Sequence, residues 1–198
     1  MALSYEQAEK MVRETLSEKR YTHTVNVKNM AVELAEKYGA DPEKAAMAAI
    51  LHDAVKERSR EELLQILQEN AIMAGNTAQS PAPVWHGPCA AILAKTQWGI
   101  DDPEILNAIW CHTTGRVGMT KLDKILYLSD MISAERSYPE VDELRMLAKQ
   151  DLDLATLTAV RHNTRWMQET GKPVDPLSLE TLKDLENEAA QKEGNNHE

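Results

Sequence analysis

Phenylalanine is absent from the chain, and aromatic residues of any kind make up only 5% of it, so a core must come from Leu, Ile, Met, Ala and Val. Only two cysteines occur, Cys89 and Cys111, far apart and in no CxxC pair. A disulfide framework does not hold a domain of this size on two cysteines, and reduced thiols in a cytoplasmic protein are the expected state. Basic charge is also scarce. Twenty-two Lys and Arg face 32 Asp and Glu, a net charge of −10, which argues against a nonspecific nucleic-acid binder with its basic face. A small anionic ligand stays possible, since a bound cation or a few local ones reverse the field inside a cleft. No run approaches the ~18–20 apolar residues of a membrane span. The opening MALSYEQAEKM turns polar within four residues and has no signal-peptide core, so a soluble, intracellular protein is expected.

What the chain does have is helix chemistry. Ala, Leu, Glu, Lys and Met dominate, and strand alternation is nearly missing. Ser4-x-x-Gln7, Ser59-x-x-Glu62 and Thr120-x-x-Asp123 read as capping boxes, while Asp41-Pro42 and Asp102-Pro103 pair an N-cap with proline at the first helical position. The spacing predicts helices from about Tyr21 to Tyr38 and from Pro42 through His52-Asp53 with Lys56 on the same face. Further helices are expected from Pro88 to about Trp98, over Ile105–His112, after Thr120, from Pro139, over about Leu152–Gln168, and near Leu177–Leu185. Residues 71–83 lose periodicity and gather Gly, Asn, Ser and Pro, which predicts a surface loop. The expected architecture is one all-α domain over residues 1–185, with a polar tail, 186–198, that frays.

Against this helical background six residues do not belong on apolar stripes. His52-Asp53 closes an Ala-rich helix at a position that reads as core, and an unpaired buried carboxylate needs a cation or hydrogen-bond partners. Alone this is weak, since roughly one chain in three of this composition holds a His-Asp dipeptide by chance. A lone inward His is more often a hydrogen-bonded core residue, and a lone inward Asp more often pairs with Arg or Lys. The joint pattern carries more weight. His23, His52, His86 and His112 come from four different helices, and Asp53 and Asp130 join them. Imidazoles and carboxylates drawn from several helices are how bundle cores hold Fe, Mn, Co or Zn. The two remaining histidines, His162 on a polar helix face and His197 in the tail, have no place in that pattern.

The order His…His-Asp…His…His…Asp resembles the HD-domain metal-dependent phosphohydrolase superfamily. That resemblance implies an HD-domain helical bundle with a di-metal site in its core, one metal on His23, His52, Asp53 and Asp130 and the other on Asp53, His86 and His112, with Asp53 bridging. The segments Ile50-Leu51-His52-Asp53-x-x-Lys56, His86-Gly87-Pro88, His112-Thr113-Thr114-Gly115, Met119-x-x-Leu122-x-Lys124-Ile125-x-Tyr127-x-x-Asp130 and Arg136-x-Tyr138-Pro139-x-Val141-x-x-Leu144-Arg145 narrow it. From about residue 15 to residue 185 the chain is similar to the YqeK-type symmetrical bis(5′-nucleosyl)-tetraphosphatases, di-iron enzymes that cut diadenosine tetraphosphate into two ADP. One departure stands out: where that family continues after the last Asp with Ile-Glu-Pro and then Arg, this chain reads Ile132-Ser133-Ala134-Glu135-Arg136, without the Glu at its usual place.

The resemblance implies a two-metal hydrolysis, in which the metals make hydroxide available near neutral pH and neutralise phosphoryl oxygens. Asp53 and Lys56 are the expected catalytic residues. Lys56, Thr113, Thr114, Arg116, Arg136 and Arg145, with Lys124, are the expected phosphate contacts, because guanidinium forks match phosphate geometry. Each of these cations has an alternative as a solvated or helix-pairing residue, and Thr113 and Thr114 as caps of a turn. Iron is the expected metal, with Mn, Co or Zn compatible with the same ligands. The alternatives in function are hydrolysis of simple nucleotides or a guanosine alarmone, a nucleotide-sensing module without turnover, and di-iron oxygenation. The expected partner is a small nucleotide, with neither nucleic acid nor membrane, and an all-α domain with exposed Met and Trp is compatible with a homodimer.

Overall fold

The computed structural model describes residues 2–195. Eleven α-helices and no strand occur among them: α1 Tyr5–Thr15, α2 Glu18–Tyr38, α3 Pro42–Leu51, α4 Arg60–Glu69, α5 Ala71–Ala74, α6 His86–Thr96, α7 Pro103–Cys111, α8 Lys121–Ile132, α9 Val141–Ala148, α10 Leu152–Glu169 and α11 Pro176–Asn195. The caps follow the sequence closely. Ser4, Ser59 and Thr120 each close a capping box, and Asp41 and Asp102 accept from the first-turn amides ahead of their prolines. These contacts satisfy amides that the helix itself leaves unpaired.

The centre of the molecule is α3, packed on α2 and α7, with α8 lying against both α2 and α7. Its apolar turns, Ala45, Ala48, Ala49, Ile50 and Leu51, are almost wholly buried, and their small side chains let those neighbours come close. Leu34, Ile92, Ile109, Ile125, Leu126 and Leu128 fill the space between them. Helices α9, α10 and α11 form an outer layer on the far side of α8.

Three expectations differ from what the chain does. Helix α3 ends at Leu51, before His52-Asp53, and residues 52–58 continue as tighter turns in which Ala54, Lys56 and Arg58 donate to the carbonyls of Leu51, Asp53 and Val55. Lys56 thus stays one turn beyond Asp53. Residues 71–83 are not one loop, since α5 and two short 3-10 turns, Thr77–Gln79 and Ala82–Val84, fall there. Residues 186–195 of the expected polar tail are instead the second half of α11, and 196–198 lie outside the described residues: Glu188 and Lys192 bind Lys124 and Asp153, and Ala189 packs on the core. Its apolar content is too low to announce a helix, and ion pairs with α8 and α10 hold it. His197 lies outside the described residues.

Candidate metal centre

The six residues converge. His23 projects from the first turns of α2, His52 and Asp53 from the turn after α3, His86 from the first position of α6, His112 from the C-terminal cap of α7 and Asp130 from the last turn of α8. Gly87 permits the closest of these approaches. A β-carbon there would meet the carbonyl oxygens of Trp110 and Ile109 at 2.9 and 3.1 Å, so only glycine lets the start of α6 lie against the end of α7. The Nε2 atoms of His86 and His112 then stand 3.0 Å apart.

Each imidazole is held by its other nitrogen. His52 Nδ1 donates to the Ala49 carbonyl at 2.6 Å, His112 Nδ1 to the Ile109 carbonyl at 2.7 Å and His86 Nδ1 to the Pro83 carbonyl at 3.0 Å. A carbonyl can only accept, so these rings carry their proton on Nδ1 and turn an Nε2 lone pair inward. His23 Nδ1 makes the equivalent contact with the Glu135 carboxylate. This is how metal-ligating histidines are oriented in general.

The lone pairs surround Asp53, which is 2% exposed. Its Oδ2 lies 3.5 Å from His52 Nε2 and 3.7 Å from His23 Nε2, whereas Oδ1 lies 3.1 Å from His86 Nε2 and 3.6 Å from His112 Nε2. Asp130 Oδ1 closes the first group at 3.1 Å from His23 Nε2. One carboxylate therefore faces two sets of imidazoles, one with each oxygen. Burial pushes the imidazoles of His52 and His86 down to about 4, against the pull of Asp53, so both are neutral near pH 7. Burial opposes ionisation of Asp53 and Asp130 as well, but attraction to the protonated forms of His52 and His23 and, at Asp130, to the Arg136 guanidinium keeps both carboxyls below the usual carboxylate range.

This chemistry fits metal ions. His23 Nε2, His52 Nε2 and Asp53 Oδ1 are buried with no hydrogen-bond partner, a costly condition unless a cation is shared between them. Two groups of donor atoms, one on His23, His52 and Asp130 and one on His52, Asp53 and His112, lie close enough together to hold an ion. Neutral imidazoles and ionised carboxylates are the donor set of a divalent first-row metal.

A cavity of about 960 Å³ opens from this cluster, and Lys56, His112, Thr113, Asp130 and Arg136 stand on its wall. Lys56 Nζ lies 3.2 Å from the His86 ring, and burial lowers its pKa. Thr113 Oγ1 has no partner of its own. Arg136 donates to Asp130 Oδ1 at 2.6 Å and to the Asp130 carbonyl at 2.9 Å.

The other expected phosphate contacts are engaged elsewhere. Arg116 pairs with Asp123 at the start of α8, and Lys124 with Asp153 and Glu188. Arg145 donates to the carbonyls of Ile132, Ser133 and Arg136 and ties α9 to the segment after α8. The Thr114 hydroxyl donates to the Gly115 carbonyl. The donors of these four tie parts of the fold together, and none of the four lines the cavity. His162, set aside in the sequence, does line it.

The structure brings two further residues to the cluster. Arg20 Nη1 donates to Asp53 Oδ2 at 2.9 Å. Its signal was present, because it sits three residues before His23 on the same helix face. Glu135 holds His23, and Asn26 Nδ2 donates to it at 2.7 Å. The segment that departs from the family's Ile-Glu-Pro pattern thus still delivers a carboxylate to the site, but onto a histidine, while Asp130 orients Arg136.

The sequence model of the HD domain family matches residues 20–135, which span every residue of the cluster. The chain belongs to the HD domain family. It is 41% identical over 174 residues to the Bacillus subtilis protein named bis(5′-nucleosyl)-tetraphosphatase, symmetrical, covering 88% of this chain and 93% of that one. The protein of the same name from Halalkalibacterium halodurans is 35% identical, with the same shares covered. Among solved structures, an HD superfamily hydrolase from Clostridium acetobutylicum described as involved in NAD metabolism superposes with a TM-score of 0.89 at 34% identity, covering 95% of this chain and all of that one. The HD-domain bundle is thus shared with proteins of named activity.

Proposed function

We propose that this HD-domain protein hydrolyses dinucleoside tetraphosphates, diadenosine tetraphosphate among them, symmetrically to two nucleoside diphosphates. The observation that carries the reading is Asp53, whose two oxygens face two separate imidazole sets at the end of a cavity large enough for a nucleotide, in a chain related over most of its length to symmetrical tetraphosphatases. His23, His52, Asp53 and Asp130 would hold one metal and Asp53, His86 and His112 the second. Iron is the metal we infer, and Mn, Co and Zn fit the same donors. When bound, the pair supplies a nucleophile near neutral pH and counter-charge for the phosphoryl oxygens.

The chain's own residues do the positioning. Lys56 Nζ, between the His86 ring and the cavity, is the donor available to a phosphate oxygen or to the departing diphosphate. The unpartnered hydroxyl of Thr113 can donate to a second oxygen, and Arg136, fixed on Asp130, presents its guanidinium to the chain of phosphates. Arg20 faces Asp53 Oδ2 and keeps that carboxylate turned between the two imidazole sets. Buried, free Cys89 and Cys111 agree with a reducing, cytoplasmic setting, and a small nucleotide rather than a nucleic acid is the partner we infer for so acidic a chain. The test is product identification from diadenosine tetraphosphate with metal-reconstituted protein. Two ADP per substrate is expected, and ATP plus AMP would overturn the symmetrical cut.

A further inference from the structure

The cavity runs well past the metal-facing residues. Its far wall is the outward side of α10, with His162 and Trp166, together with Tyr138 and Glu140 from the segment before α9. At about 960 Å³ it is at the upper end of the ~300–1,000 Å³ typical of small-molecule sites, far more than phosphates at a metal centre occupy. The far wall is aromatic. The rings of Tyr138 and His162 stack with centroids 5.5 Å apart and planes 28° apart, and Tyr138 is fixed by its hydroxyl, which donates to the Met131 carbonyl at 3.0 Å. Trp166 remains 44% exposed on this wall, and Lys172 Nζ sits 3.8 Å from its ring centroid.

The backbone adds a second observation. Glu140, also on this wall, has φ +68, the one non-glycine positive φ among the described residues. A left-handed backbone at Glu is strained and persists where surrounding structure holds it, commonly at ligand sites. Here it turns the chain between Tyr138 and α9 so that the tyrosine ring faces α10.

We propose that His162, stacked on Tyr138, and Trp166 form the platform on which the base of one nucleoside half of the substrate stacks, its diphosphate running back past Arg136 and Lys56 to the metal-facing end. This rests on the tetraphosphatase reading and names the specificity-determining residues of that same site. Flat rings accept any base by its face, so the platform selects for the presence of a nucleoside more than for its identity. It makes His162 and Trp166 determinants of affinity for the nucleoside, acting on KM and not on the bond-breaking step.

The experiment compares ADP with inorganic pyrophosphate, by calorimetry, on wild type and on H162A, W166A and the double variant, with circular dichroism to establish that each is folded. Wild type is expected to bind ADP more tightly than pyrophosphate, and the double variant to lose about tenfold or more of its ADP affinity with pyrophosphate unchanged. H162F, which keeps a flat ring, is expected to recover most of the loss. In turnover of diadenosine tetraphosphate the same variants raise KM and leave kcat within about twofold. Equal weakening of ADP and pyrophosphate, or unaltered ADP binding in a folded double variant, would overturn the platform. A wild type that shows the ADP preference but does not cut the dinucleotide would instead overturn the tetraphosphatase reading and leave the platform standing.

Discussion

The imidazoles and the guanidiniums of this protein are arranged on opposite principles. Around Asp53, four histidines each anchor one nitrogen on the fold and leave the other aimed inward, those of His23 and His52 with no partner at all. Away from the cavity wall, Arg116, Arg145 and the ammonium of Lys124 instead have donors engaged by carboxylates and carbonyls. Buried polar atoms without partners are costly and mark a place where something binds, whereas satisfied ones mark a place where the fold is held. Lys56, Thr113 and Arg136 stand between these cases, each anchored on the cluster or its rim and open to the cavity.

That contrast breaks or sharpens with substitution. The largest effect is expected at the cluster itself. His52→Ala and Asp53→Ala should abolish turnover and lower bound metal, measured by assay alongside elemental analysis, and Asp53→Asn should do nearly the same, since the amide keeps the shape but loses the charge and one acceptor. Full activity in either alanine variant would remove these residues from the site. Lys56→Ala comes next, with kcat reduced by about 10²-fold, as for a lost charge-stabilising donor, and metal content kept. Glu135→Gln should follow with a loss on the order of 10–100-fold in metal affinity or activity, because His23 loses the carboxylate that orients it. The smallest catalytic effects are expected where the guanidinium is already engaged. Arg116→Ala and Arg145→Ala should leave kcat and KM within about twofold and lower Tm by several degrees, at about 2–4 °C per kcal/mol for a chain of this length. A kcat loss in Arg145→Ala without a Tm change would reverse its assignment.

The fold and the convergence of the six residues are legible for one reason, and the phosphate side is obscure for another. Capping boxes and Asp-Pro starts are local chemistry, read directly from Ser4, Ser59, Thr120, Asp41 and Asp102. Histidines on apolar stripes stand out because burial there demands an explanation. An arginine on a polar face carries no such signal, and whether Arg116 reaches the cavity or Asp123 depends on the loop geometry after α7, where Gly115 at φ +69 sits against Thr181 of α11. Arg20 could have been found from its spacing to His23. Glu135 was harder, because its partner is 112 residues away in sequence. The second half of α11 has no apolar stripe to announce it, and Lys124 and Asp153, which pair with its Glu188 and Lys192, lie in other helices. His162 was read as a polar-face residue because the cavity it lines forms only when the 133–140 segment folds against α10.

The central claim is that Asp53 stands between two metal positions. Elemental analysis of the protein after anaerobic reconstitution with Fe(II) and removal of loosely bound metal tests it most directly, on wild type and on folded Asp53→Ala. The account gives two ions per chain in wild type and fewer than one in the variant. One ion per chain in wild type, or two retained without Asp53, would contradict it.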